Sequence, residues 1–171
     1  IKEEITMFKE EITMFRPMRK ESRALSVAEA EALLRRATSG VLSLHGDDGY
    51  PYGVPVSHVY QDGHIWFHCA VEGHKLDAIQ ACPKVCFTVV TGDEPWPEKF
   101  TTRYESAIAF GTARILTDPA EKMAAMDRLL DKFCPGLMEE GRKKMVASMD
   151  HTCLVEITVE HLTGKTAHRK I

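Results

Sequence analysis

A succession of short segments with period-two apolar alternation, each closed by a tight-turn signal, restricts this fold more than any other feature. Val41–His45 reads VLSLH and runs into Gly46-Asp-Asp-Gly49; Tyr50–Tyr60 reads YPYGVPVSHVY and runs into Gln61-Asp-Gly63; His64–Cys69 reads HIWFHC. Alternation puts every second side chain on one buried face. Connections this short join only antiparallel neighbours, because a parallel pair needs a crossover of a dozen or more residues. Lys84–Thr91, Thr101–Leu116 with a bulge at Gly111, and Cys153–Leu162 read as further strands, with Gly92–Lys99 as a loop by its prolines and charge. The expected class is therefore mostly β: an antiparallel, Greek-key-like barrel with peripheral α-helices rather than a βαβ sheet.

Four helices are expected around it. Ser26 with Glu29 forms a capping box ahead of a helix whose apolar face is Val27, Ala30, Leu33, Leu34 and Ala37, ended by Gly40. Glu72–Ala81 is a short helix closed by Pro83. Asp118-Pro119 caps a third, with Met123, Met126, Leu130 and Phe133 as its stripe, and Leu137–Ser148 is a fourth.

The length of 171 residues suits one domain with its own core. Residues 23–171 are assigned to it and residues 1–22 to an N-terminal extension. There KEEITMF occurs twice in succession, over Lys2–Phe8 and Lys9–Phe15. Ile1, Ile5, Phe8, Ile12 and Phe15 would form a stripe on a helical arm, with a poorly ordered tail as the alternative. The start lacks the basic and apolar regions of a cleavable signal.

A net charge of −3 provides no basic face for nucleic acid, and no apolar run approaches a bilayer span. The five cysteines have no zinc-knuckle spacing; an odd count reads as reduced thiols in a cytoplasmic protein, and no metal site is expected.

Three segments carry candidate chemistry. Pro55 removes a ladder donor in Tyr50–His58, so neighbouring backbone could meet a ligand, with the Ser57 hydroxyl beside it. Gly73 followed by Lys75 in the first turn of a helix makes an anion site, since exposed N–H groups and an ammonium converge there. His68 shares its strand face with Trp66 and Ala70. In Thr101–Gly111, Ser106 suits a phosphate and Tyr104 suits packing on a ring. Each has an ordinary structural reading of comparable weight. His151 and His161 are read as structural, and Lys165, His168, Arg169 and Lys170 as a solvated tail.

In this order the segments PYGVPVSHVY, DGHIWFHCAVEGHKLDAI, PKVCFTVV and TTRYESAIAFGTARI resemble the pyridoxamine 5′-phosphate oxidase-like split-barrel flavoproteins, specifically their nitroimidazole-resistance (reductase-like) branch. The resemblance spans roughly residues 23–165. It implies an FMN-binding split barrel that forms a homodimer, with FMN in clefts lined by both subunits. It also implies that Pro55, Val56, Ser57, His58, His68, Cys69 and Ala70 contact the ring and ribityl chain, and that Lys75 and Ser106 meet the phosphate, with Tyr104 nearby. His68, which lies close to the flavin in that branch, is the one candidate catalytic residue.

The expected activity is reduction of a small electron-poor acceptor, such as a nitroaromatic, at the expense of NAD(P)H. FAD and haem are lesser alternatives to FMN. The rival class is a non-enzymatic flavin- or haem-binding protein on the same barrel. Pyridoxamine-phosphate oxidation itself would need more basic residues than Arg103 and the C-terminal cluster supply.

Overall fold

The structure, a computed structural model, describes residues 15–167. The repeated heptads, and the helical arm expected of them, lie outside the described residues except for Phe15. A 3-10 turn at Glu21–Arg23 leads into β1 (Ala24–Leu25), α1 (Val27–Arg36), β2 (Ser39–His45), β3 (Pro51–Ser57), β4 (Val59–Gln61) and β5 (His64–Cys69). Then come α2 (His74–Ala81), β6 (Lys84–Trp96), β7 (Thr101–Ile115), α3 (Pro119–Phe133), α4 (Met138–Ser148) and β8 (Cys153–Ala167). Every strand pairing is antiparallel, in the order β3-β2-β6-β7-β8-β5-β4, with β1 added to β8.

The two ends of that order are consecutive in the chain. β3 stops at Ser57 and β4 starts at Val59, so His58 alone links the opposite edges of the sheet. A sheet whose edges are tied by one residue must curl, and the result is a split barrel with His58 at the seam. The expected single strand over residues 50–60 is therefore two strands. Its break is dictated by burial: Tyr52, Val54 and Val56 point inward on β3, and His58 then turns into the core with no exposed surface.

His58 Nε2 lies 2.9 Å from the Leu34 carbonyl, which can only accept, so Nε2 carries the proton, and burial favours the neutral ring. Its Nδ1 is buried without a hydrogen-bond partner, and the ring meets Phe87 edge-on at 4.7 Å. Lys132 of α3 reaches the same seam, donating from Nζ to the carbonyls of Ala37 (2.6 Å) and His58 (2.9 Å). Burial lowers the pKa of that ammonium. Replacing Lys132 with Met is expected to cost about 2 kcal/mol, the penalty of stranding part-buried carbonyls, read as a fall in the urea midpoint at unchanged slope.

The barrel interior holds Leu42, Ile65, Phe67, Phe87, Val155 and Ile157, and α1 packs into it through Ala30, Leu33 and Leu34. α3 covers the other face of β5 and β8 through Met126, Leu129 and Leu130 against Trp66, Leu116 and Leu154. The capping box at Ser26–Glu29 and the Asp118 cap form as expected. Val27, expected on the apolar face of α1, is exposed instead, because that face is set by Ala30, Leu33 and Leu34 one turn on.

Three boundaries differ from the sequence expectation. Gly40 does not end α1; it lies inside β2, where a Cβ would sit 2.5 Å from the Phe87 ring. Residues 92–96, expected in a loop, continue β6 beyond a register shift at Thr91/Glu94, and β7 pairs with them as far as Thr101. β8 runs to Ala167 rather than Leu162, because β7 supplies a partner for every added residue. The bulge at Gly111 is where expected, between Phe110 and Gly111.

Candidate functional site

The outer face of β3-β2-β6-β7-β8 is left open by the helices. Strand register writes two rows across it: Pro55, Val41, Thr88, Ile108 and Thr163, then Gly53, Ser43, Cys86, Phe110 and His161. Val41, Val90, Ile108 and Phe110 are 42%, 57%, 36% and 37% exposed, so the ledge is apolar along its middle. Two grooves indent it on either side of Phe110. One, of about 370 Å³, is lined by His45, Lys84, Cys86, Phe110 and Glu160; the other, of about 250 Å³, is lined by Arg16, Ser106, Ile108, His161, Thr163 and Lys165. Phe15 lies flat on His161, with ring centroids 4.5 Å apart and planes 4° from parallel. Phe15 thus covers one face of the imidazole and also meets the Phe110 ring at 5.5 Å.

The second groove gathers two cations and two hydroxyls at one end of an apolar floor. Ser106 and Lys165 are direct partners on β7 and β8, and the Lys165 ammonium sits 5.9 Å from the Tyr104 ring centroid. Lys165 is thus a strand residue and no part of a solvated tail. The sequence held the signal: His161, Thr163 and Lys165 continue one alternating face, obscured by ending the strand at Leu162. Arg16 and Phe110 were missed for want of any local cue, since only the sheet brings residue 16 beside residue 165.

At the far end of the barrel, α2 starts from Gly73 with φ at +128°, a backbone conformation natural to glycine, and no side chain caps it. Lys75 is half-buried in its first turn, and the next residue's N–H, that of Leu76, already bonds the Gly73 carbonyl. Beside it His74 stacks on Tyr52 at 4.2 Å, with Nε2 3.3 Å from an Asp47 carboxylate oxygen of the β2–β3 turn. An uncapped helix start carrying an ammonium is a site with anion donors to spare.

The residues singled out from the sequence thus separate into sets. Lys75 and Cys69 share the α2 end, where burial pushes the Cys69 thiol up to about 11 against the opposing pull of Lys75. His68 is exposed on the opposite face of β5 from Cys69, next to exposed Ala70, and Trp66 on the His68 face is covered by α3. The two side chains therefore cannot meet one ligand from the same side of the strand. Pro55 and Ser57 are exposed on the outer face of β3, while Val56 points inward. The His58 side chain belongs to the core and has no surface to offer a ligand. Tyr104 and Ser106 line or flank the second groove.

Thr112, opposite Lys84 at the α2 end of the β6–β7 ladder, lies six residues from Ser106. At a strand's rise per residue that is about 20 Å. Lys75 is not among the residues that line the Ser106 groove. Among the described residues, no three His, Cys, Asp or Glu side chains gather to hold a metal ion, and no helix is long and apolar enough to cross a membrane.

The family model described as pyridoxamine 5′-phosphate oxidase matches residues 26–166. No curated protein matches the chain. Among solved structures, a candidate 5-nitroimidazole antibiotic resistance protein from Bacteroides thetaiotaomicron has a TM-score of 0.71 at 21% identity, covering 84% of this chain and 86% of its own. The flavocytochrome Anf3 from Azotobacter vinelandii has a TM-score of 0.78 at 18% identity, covering 90% and 73%. The FAD and heme binding protein from Mycobacterium smegmatis has a TM-score of 0.74 at 21% identity, covering 87% and 75%. At such identities these likenesses establish the split-barrel fold.

Proposed function

The chain belongs to the pyridoxamine 5′-phosphate oxidase family, and from that premise we propose that it is an FMN-dependent oxidoreductase acting as a homodimer. The observation that carries the reading is the uncapped start of α2 with Lys75 in its first turn, on a chain that also presents an open apolar ledge. Backbone N–H groups and the ammonium would hold the phosphate. The exposed β3 face at Pro55 and Ser57, or the aromatic wall of Phe110 and His161, would take the ring. A flavin bound there would accept a hydride from NAD(P)H and pass electrons to a small electron-poor acceptor such as a nitroaromatic.

Two chains are proposed because Lys75 of α2 does not line the Ser106–Lys165 groove of its own chain. Pairing two ledges would bring the Ser106–Lys165 groove of one subunit toward the α2 end of the other. It would also bury Val41, Val90, Ile108 and Phe110, whose exposure on a monomer otherwise leaves apolar surface in water. His68, exposed at the end of β5, is the proposed group for positioning the acceptor. Five unbridged thiols fit a reducing compartment such as the cytoplasm.

The test is an FMN titration of the purified apoprotein, followed by anaerobic addition of NADH or NADPH, with the molar mass in solution measured in parallel. Saturable binding, bleaching by a nicotinamide nucleotide and a dimer mass are expected. A monomer that leaves added FMN free in solution would sink the reading.

A haem-binding role is the second reading, favoured by two of the similar structures, one a FAD and heme binding protein and the other a flavocytochrome. Exposed His68 and the outer-face His45 and His161 could serve as ligands, whereas His58 has its Nε2 engaged by Leu34. Haem uptake with a Soret band, in place of flavin uptake, would decide for it.

A further inference from the structure

We propose that Cys69 and Cys153 form a dithiol–disulfide couple, a two-electron oxidation site set into the barrel wall beside Lys75. Cys69 is the last residue of β5 and Cys153 the first of β8, and the ladder puts them directly opposite each other. Directly opposed residues of an antiparallel pair have Cα atoms about 4.5–5.5 Å apart, inside the range a disulfide spans. Both side chains point inward, continuing the face of Phe67 and Val155.

The pair also sits at the open end of its ladder. Backbone there can adjust to the geometry of an S–S bond more readily than it could between continuous strands. The remaining thiols have no such partner. Cys86 faces Ser43 and Phe110 across its ladders, and Cys82 and Cys134 end helices. Cys69 is the more accessible member and takes the first step, while Cys153, which is 7% exposed, resolves it.

The oxidant is a low-molecular-weight disulfide. The Cys69 thiolate attacks one of its sulfurs, forming a mixed disulfide and releasing one small thiol. The Cys153 thiolate then attacks the Cys69 sulfur, closing the protein disulfide and releasing the second. Two protein thiols lose two electrons and two protons, and two small thiols gain them. Burial keeps both thiols largely protonated, so the exchange is slow and the informative quantity is its equilibrium. The bond would fix the end of β5, from which the Ala70–Gly73 turn delivers Lys75, and so would make the rigidity of that anion site depend on thiol redox state.

The test equilibrates the folded full chain, without flavin, in buffers of increasing oxidised-to-reduced glutathione ratio. Thiols are then trapped by alkylation, and the peptides mapped by mass. Loss of two of the five thiols is expected, with the Cys69 and Cys153 peptides joined. Cys69→Ala and Cys153→Ala should each abolish the link, whereas Cys86→Ala should leave it intact. Joining of any other pair, glutathione adducts alone, or five free thiols at the most oxidising ratio would each overturn the proposal. Because no cofactor is present, the outcome is independent of whether the flavin reading holds.

Discussion

Acidification from pH 6.5 to about 4 is expected to remove about 3 kcal/mol of stability through His58 alone. Burial in the seam lowers the pKa of this imidazole from its usual 6.5 to about 4, with the Lys132 ammonium pushing the same way and the Leu34 carbonyl opposing both. In the unfolded chain the ring takes up a proton near pH 6.5, while in the folded chain it resists until about 4. Between those values the unfolded state binds more protons, so unfolding becomes easier as pH falls. Above 6.5 the ring is neutral in both states and contributes no slope.

The physical cause is the seam itself. An imidazolium there would face Phe87 and the Lys132 ammonium with a single carbonyl acceptor to compensate. The check is a set of urea unfolding curves between pH 7 and 4 for the wild type and for His58→Gln, whose amide can still donate to Leu34. The variant should show a flatter pH profile, and the difference between the two isolates His58 from the other titrating groups. Parallel profiles would mean that His58 does not stay neutral in the fold.

Replacing Lys75 with Ala is expected to weaken flavin binding roughly ten- to a hundredfold, the equivalent of losing about 1.5–3 kcal/mol of charge-assisted hydrogen bonding to a phosphate. The start of α2 would keep its backbone N–H groups, so binding should weaken and not vanish. The fold should be unaffected, because Lys75 is only half-buried, and the neighbouring Leu76, Ala78 and Ile79 anchor the helix. Quenching of flavin fluorescence on titration with apoprotein measures the change directly. If Lys75→Ala binds as the wild type does and Lys165→Ala does not, the phosphate end belongs to the Ser106–Lys165 groove, and the α2 assignment is wrong.

Much of this architecture is written in local pattern. Alternation in Val41–His45 and His64–Cys69, with short turns between strands, requires antiparallel neighbours whatever the rest of the chain does. The Ser26–Glu29 box and the Asp118-Pro119 start satisfy helix N–H groups from within a few residues, so they too are readable before folding. Gly73 marks the start of a helix in the same local way.

What alternation cannot express is which strand lies beside which. His58 reads in sequence as one more strand residue offered to a ligand. It is a core residue because the chain crosses there from one edge of the sheet to the other, and that crossing exists only once the sheet has curled. Strand ends at Trp96 and Ala167 were likewise hidden, since a strand continues for as long as a partner answers it, and the residues that extend β8 past Leu162 find partners on β7 more than fifty positions away. The same holds for Arg16 beside Lys165, for Phe15 on His161, and for Cys69 opposite Cys153. The kinds of element and the chemistry each could carry are local properties, because they depend on neighbours a few residues off. Which of those chemistries meet is fixed in the folded sheet, because register and strand order are properties of contacts between distant segments.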